Sequence, residues 1–280
     1  MIPSQDRTMV MSIVNVTPDS FSDGGDWYDY ERAIHHAESL VAEGADLIDV
    51  GGESTRPGIT RTEPAEELRR ILPVVRALAT AGVTVSVDTM RAEVAEATLQ
   101  AGAKIINDVS GGLADPRMLP LVADHDAGYI SMHWRAHSVT MDAAARYRDV
   151  VADVRDEMSA RIEAALAAGV REENLVIDPG LGFAKTGAHN WDLLRHLDIF
   201  AALGFPVLIG ASRKQFLGRL LADEDRLRPP RQRDVATVAL TTLLAVRRIW
   251  AVRTHTARPH RDAIAVVEAM RPESEVADRG

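Results

Sequence analysis

Apolar residues fall into eight short runs rich in Val and Ile, at 10–16, 47–50, 83–87, 104–109, 129–133, 175–178, 206–209 and 249–255. Between them, the stretches 30–43, 64–81, 91–101, 150–168, 191–203, 235–247 and 261–270 carry apolar residues at helical spacing among Ala, Leu and Glu. The runs predict strands, because a strand covered on both faces reads as near-continuously apolar rather than alternating. Several predicted helices end in glycine just before the next strand, at Gly44, Gly82 and Gly102, where a left-handed residue closes a helix at little cost. Eight predicted strands alternating with helices at this length predict an α/β fold, a closed (β/α)8 barrel rather than an open doubly wound sheet. No composition shift marks a boundary, so 1–280 reads as one domain with an ordered core of about 9–271 and frayed ends at 1–8 and 272–280.

Polar residues appear at the carboxyl end of almost every run, the end that surrounds the active-site mouth of such a barrel. They are Asn15, the segment from Asp49 to Gly58, Asp88, Asn107-Asp108, Met132-His133, Asp178-Pro179-Gly180, Gly210 to Lys214, and Arg253-Thr254-His255. A single Asp or Asn after a strand commonly caps the next helix, and Asp19 and Asp115 read as such caps. Asp88, Asn107 and Asp178 lie at or within apolar runs, where an unpaired polar group is costly, and read together as a binding site. Arg213 and Lys214 open a helix, against its dipole, which an anionic or carbonyl-bearing ligand would offset; the alternative is a pair of solvated surface cations. The two-residue pleat puts Arg253 and His255 on one face, and with Asn15 they form a candidate phosphate and metal corner or, alternatively, a structural salt bridge. The Gly-rich segments 17–27 and 51–63, with Phe21, Asp23 and Arg56 embedded in them, read as lids that exclude water.

The charge balance, 32 basic against 41 acidic residues and a net charge of −9, argues against a nucleic-acid binder. Zero cysteines exclude disulfides, thiolate metal sites and a cysteine nucleophile. No apolar run approaches the roughly 18 residues of a membrane helix, and the first residues lack a signal-peptide pattern, so the expectation is a cytoplasmic protein without a membrane partner. His133 and His137 have metal-ligand spacing but no intervening Glu; His35, His36, His125, His189, His196 and His260 read as surface or capping residues.

Seven segments carry a resemblance: NVTPDSFSDGG from Asn15, DVGGESTRPG from Asp49, SVDT from Ser86, INDVS from Ile106, DPGLGFAK from Asp178, GASRK from Gly210 and RTH from Arg253. In that order they resemble the bacterial dihydropteroate synthases, most closely the actinobacterial members, over about residues 10–270. The resemblance implies a TIM barrel and a transferase of folate biosynthesis that is generally a homodimer. It would join 6-hydroxymethyl-7,8-dihydropterin diphosphate to p-aminobenzoate with Mg²⁺ as cofactor. Sulfonamides, which mimic p-aminobenzoate, are then expected inhibitors. Carried over by position, Asp88, Asn107, Asp178 and Lys214, with Met132 and Gly210, would hold the pterin. Asn15, Arg253 and His255 would hold the diphosphate, with Asn15 as metal ligand. Phe21, Ser54, Thr55, Arg56, Pro57, Phe183 and Gln215 would form the p-aminobenzoate side.

Asp88, Asp178, Lys214, Arg253 and His255 are the catalytic set this implies. The resemblance further implies a dissociative substitution, with the pterin bound first. Departures are Gln215 and Thr254, the latter where an apolar residue is expected. Two rival readings remain at this point: a related barrel moving a methyl group from methyltetrahydrofolate to a corrinoid protein, and a pterin-binding paralogue without catalysis.

Overall fold

The computed structural model describes residues 2–17, 26–53, 62–136, 143–224 and 226–272. Its strands are β1 (Met9–Asn15), β2 (Leu47–Gly51), β3 (Val85–Asp88), β4 (Ile105–Asp108), β5 (Gly128–Met132), β6 (Leu175–Asp178), β7 (Leu208–Ile209) and β8 (Ala251–Thr254). All pair in parallel, in the order β6-β5-β4-β3-β2-β1-β8-β7. The two ends meet through a single bridge between Ile177 and Val207, where the Ile177 N–H donates to the Pro206 carbonyl at 2.9 Å. The sheet is thereby the predicted (β/α)8 TIM barrel.

The helices are α1 (Asp26–Ala42), α2 (Pro64–Thr80), α3 (Ala92–Gln100), α4 (Met118–Asp124), α5 (Val150–Ala167), α6 (Gly187–Arg195), α7 (Leu197–Ala201), α8 (Gln215–Leu220), α9 (Asp234–Val246) and α10 (Arg258–Ala269). Local chemistry sets several of their starts. Pro64 takes the first turn of α2, where its missing N–H costs nothing. Asp149 caps α5 by accepting from the Val151 and Ala152 amides at 3.0 and 3.1 Å. Asp115 does not cap the next helix, α4, but serves α3 across the fold, accepting from the Ala92 amide at 3.0 Å.

Alternate strand residues separate two cores. Val10, Val14, Ile48, Val50, Val85, Val87, Ile106 and Ile177 face outward into the layer beneath the helices. Met9, Met11, Leu47, Ile105, Ile130, Val176, Leu208 and Ala251 face inward and form an apolar floor. Ile2 belongs to that floor, which corrects the expectation of a frayed start. The segment is tied across the barrel bottom: Trp250 Nε1 donates to the Pro3 carbonyl at 2.9 Å, Arg7 pairs with Asp46, and Thr8 Oγ1 donates to the Ile249 carbonyl at 2.7 Å. The predicted helix at 191–203 is two helices, broken at His196 with ψ of 37°. α4 was not expected, being seven residues long, too short to display a helical period, whereas α8 is the helix that Arg213 and Lys214 were expected to open, with Lys214 at its N-cap. His260 is a core residue rather than a surface one, its Nδ1 2.8 Å from Thr241 Oγ1.

Candidate active site

Above the apolar floor the inward positions turn polar. Asn15, Gly51, Asp88 and Asn107 lie side by side on β1 to β4 as successive register partners. Asp178 and Met132 pair on β6 and β5, and the same pleat turns Gly210, Arg253 and His255 inward. A Cβ placed on Gly51 would stand 3.5 Å from Asp88 Cβ and 3.7 Å from Asn15 Oδ1, ordinary contact distances, so these two side chains flank the glycine over β2. The predicted convergence of Asn15, Asp88, Asn107, Met132, Asp178, Gly210 and Arg253 on one end of the barrel is therefore present.

Arg253 sits among the acids. Its Nε donates to Asp49 Oδ2 at 2.6 Å and its Nη2 to Asp88 Oδ2 at 2.7 Å. Asn107 Nδ2 donates to the same Asp49 oxygen at 3.1 Å. A carboxylate only accepts, so Asp49 dictates which way the Asn107 amide points. Asp49 is fully buried, and among the described residues its Oδ1 and the neighbouring Ser86 Oγ have no hydrogen-bond partner. Burial pushes the Asp88 carboxyl up, while Arg253 pulls it down. Burial likewise raises Asp178, opposed by the Lys214 charge. Burial works against the Arg253 charge, but Asp49 and Asp88 outweigh it and keep the guanidinium cationic.

The turn after β6 supplies the opposite wall. Asp178 Oδ1 accepts the Gly180 amide at 2.7 Å. Lys214 donates to the Leu181 carbonyl, and its ammonium lies 4.3 Å from the centre of the Phe183 ring. Burial pushes Lys214 down to about 8, Asp178 opposing. Gly182 has a φ of +75°, and a Cβ there would meet Lys214 Cδ at 2.8 Å, so the position requires glycine both for conformation and for room.

His255 Nδ1 lies 2.9 Å from Ser212 Oγ, which also accepts the His255 amide at 3.3 Å. Arg213 departs from the expected ligand role. Its φ is +60°, and it turns away to form a two-pronged pair with Asp234 of α9, at 2.8 and 2.9 Å. Thr254 faces outward and is satisfied by the Thr256 carbonyl at 2.8 Å, which accounts for a polar residue at that place. Gln215 is exposed at the first position of α8. Phe21, Asp23, Ser54, Thr55, Arg56 and Pro57 lie outside the described residues.

Sequence reasoning missed Asp49 and Ser212 as partners of the site. Asp49 carried the same signal as Asp88, a carboxylate inside the run Leu47-Ile48-Asp49-Val50.

For the implied Mg²⁺, the donor chemistry gives a partial frame. No group of three His, Asp or Glu among the described residues could hold a metal ion alone. Asn15 offers one amide oxygen, across Gly51 from Asp88. Mg²⁺ keeps several waters and is usually held by one or two protein oxygens together with substrate phosphates. The residues thus fit an ion that arrives with a diphosphate.

Comparison with known proteins agrees with this geometry. The family model described as pterin binding enzyme matches residues 11–255. A dihydropteroate synthase of Mycobacterium leprae is 55% identical over 262 residues, 93% of this chain and 92% of that protein. Two solved structures superpose closely. The dihydropteroate synthase of Xanthomonas albilineans with 4-aminobenzoic acid has a TM-score of 0.88 at 44% identity, covering 95% of each chain. That of Yersinia pestis with a sulfonamide drug complex has a TM-score of 0.88 at 38% identity, covering 96% of this chain and 98% of that one. A matching family model and matches over nearly the whole length lead to one conclusion: this chain belongs to the dihydropteroate synthase family of pterin-binding enzymes.

Proposed function

We propose that the chain joins the methylene carbon of 6-hydroxymethyl-7,8-dihydropterin diphosphate to the amine of p-aminobenzoate, releasing diphosphate and forming 7,8-dihydropteroate in the cytoplasm. The supporting observation is the inward layer of Asp88, Asn107 and Asp178 facing Lys214 above an apolar floor. A flat heterocycle rich in N–H donors on one edge and bearing a carbonyl suits it. Asp178 would accept from the pterin amino and ring N–H groups, as paired acceptors do. Asn107 would present its Oδ1, because its amide nitrogen is committed to Asp49. Lys214 would donate to the ring carbonyl, with Met132 and Gly210 bounding the pocket.

The reaction then breaks the C–O bond to the diphosphate and forms a C–N bond. Asp88 and Asp178 favour the positive charge that develops on the pterin methylene carbon, being fixed before the charge appears. Of the five N–H donors of a guanidinium, Arg253 commits two to Asp49 and Asp88; the others would meet the departing diphosphate with His255. Mg²⁺ held by Asn15 and the diphosphate would add charge neutralisation to the leaving group. The arylamine attacks with its lone pair and loses its proton to solvent. Phe183, Gln215, Phe21 and the residues Ser54 to Pro57 would line its side of the pocket, and a sulfonamide would compete there.

We further propose a homodimer. Val235, Leu243 and Val246 of α9 are exposed to 82%, 62% and 64%, beside Val266 and Met270 of α10. A cluster of this kind supports burial against a second copy of the chain.

The test of the reaction is diphosphate release from the dihydropterin diphosphate by purified protein. Release that requires both p-aminobenzoate and Mg²⁺, with dihydropteroate formed, is expected. Tight pterin binding without release would overturn the reading.

A further inference from the structure

The turn after β6 follows a backbone course that must be held. Gly180, Gly182 and Ala184 have φ of +69°, +75° and +49°, and for alanine the left-handed region is unfavourable. Such a course persists where its surroundings over-determine it. Side chains take up its carbonyls. Lys214 holds that of Leu181, Lys185 Nζ holds that of Phe183 at 3.0 Å, and the Tyr147 hydroxyl holds that of Ala184 at 3.1 Å.

Lys185 is itself braced from behind. Its Nζ lies 2.9 Å from His133 Nδ1, and His133 Nε2 lies 2.9 Å from Glu157 Oε2. The carboxylate accepts, so Nε2 carries the hydrogen and, in a neutral ring, Nδ1 accepts from Lys185. Burial holds the His133 ring neutral, pushing it down to about 4. Arg135 fixes Glu157 in turn and lies 3.8 Å over the Tyr147 ring. The chain from Glu157 on α5 to the Phe183 carbonyl is therefore continuous, and the reaction outlined above makes no use of it.

We infer that Lys185, braced by His133 and Glu157, is a positioning residue for the arylamine half of the reaction: by holding the Phe183 carbonyl it fixes the Phe183 ring against Lys214. The inference rests on the proposed reading of the site, in which Phe183 lines the arylamine pocket.

The test compares the two substrates in the full-length protein. Lys185→Met removes the hydrogen bonds to Phe183 and His133. It is expected to raise KM for p-aminobenzoate about tenfold. Calorimetric Kd for the dihydropterin diphosphate should change by less than about twofold. His133→Leu, which leaves Lys185 in place but unbraced, is expected to shift KM in the same direction by about threefold, and it carries the test if Lys185→Met does not fold. An equal rise for both substrates, or a change in neither, would overturn the inference alone. A wild-type protein that releases no diphosphate would overturn the reading of the site and this inference with it.

Discussion

Arg253 reaches Asp49 through Nε at 2.6 Å while its Nη2 holds Asp88 at 2.7 Å. The guanidinium therefore links a carboxylate facing the proposed pterin pocket to one buried beneath it. Asp49→Asn keeps the shape and removes the charge that fixes Arg253. Losing a charged hydrogen bond of this type costs about 1.5–3 kcal/mol. We expect a fall in kcat/KM for the pterin substrate of about tenfold to a hundredfold, together with a lowered urea midpoint. A variant with unchanged kinetics would show that Arg253 needs only Asp88.

Phe183→Leu should act on the other side of the pocket. It keeps an apolar side chain but removes the π-face under the Lys214 ammonium, an interaction of about 0.5–2 kcal/mol. KM for p-aminobenzoate should rise several-fold, with pterin affinity nearly unchanged. Initial-rate kinetics with each substrate varied in turn measure the split.

Burial lowers Lys214 from 10.5 to about 8. Between those values the unfolded chain holds the proton and the folded one sheds it, so unfolding takes up protons there. Stability conferred by this group consequently rises with pH from about 8 to 10.5 and is flat outside that window. Lys214→Met should lose that slope. Urea midpoints of both proteins at pH 7.5 and pH 10 would show a gap in the variant's favour that narrows as the pH rises; a constant gap would refute the linkage.

Leu243→Glu places a charge in the exposed apolar stripe of α9 without touching the pocket. Sedimentation should show the wild type as a dimer and the variant as a monomer, with its melting temperature lowered only as far as lost assembly requires. A wild-type monomer would remove the dimer from the proposal.

Much of this arrangement was legible because pleat and burial leave marks in a sequence. Two-residue alternation placed Arg253 and His255 on one face, and a polar residue in an apolar run marked Asp88, Asn107 and Asp178. The same alternation separates Asn107 from Asp108, which faces outward and accepts from the Ser110 hydroxyl at 2.7 Å and the Tyr129 hydroxyl at 2.8 Å. What stayed hidden depends on distant partners. Arg213 looked like a ligand because Asp234 stands 21 residues away. Lys185 sits in an aperiodic turn, and its brace comes from β5 and α5. Residues 2–8 read as frayed because nothing local announces that Ile2 fills the barrel floor.

That floor has a consequence for the energetics of turnover. Met9, Met11, Leu47, Ile105, Ile130, Val176, Leu208 and Ala251 carry no dipole able to swing when charge moves from the pterin carbon to the leaving diphosphate. Below Asp49 and Ser86 the site rests on a medium of low polarity, where fixed charges act over longer range than they would in water. Stabilisation must come from groups already aimed before the bond breaks, so small misalignments of Asp88, Asp178 or Arg253 have no solvent beneath them to make good the loss.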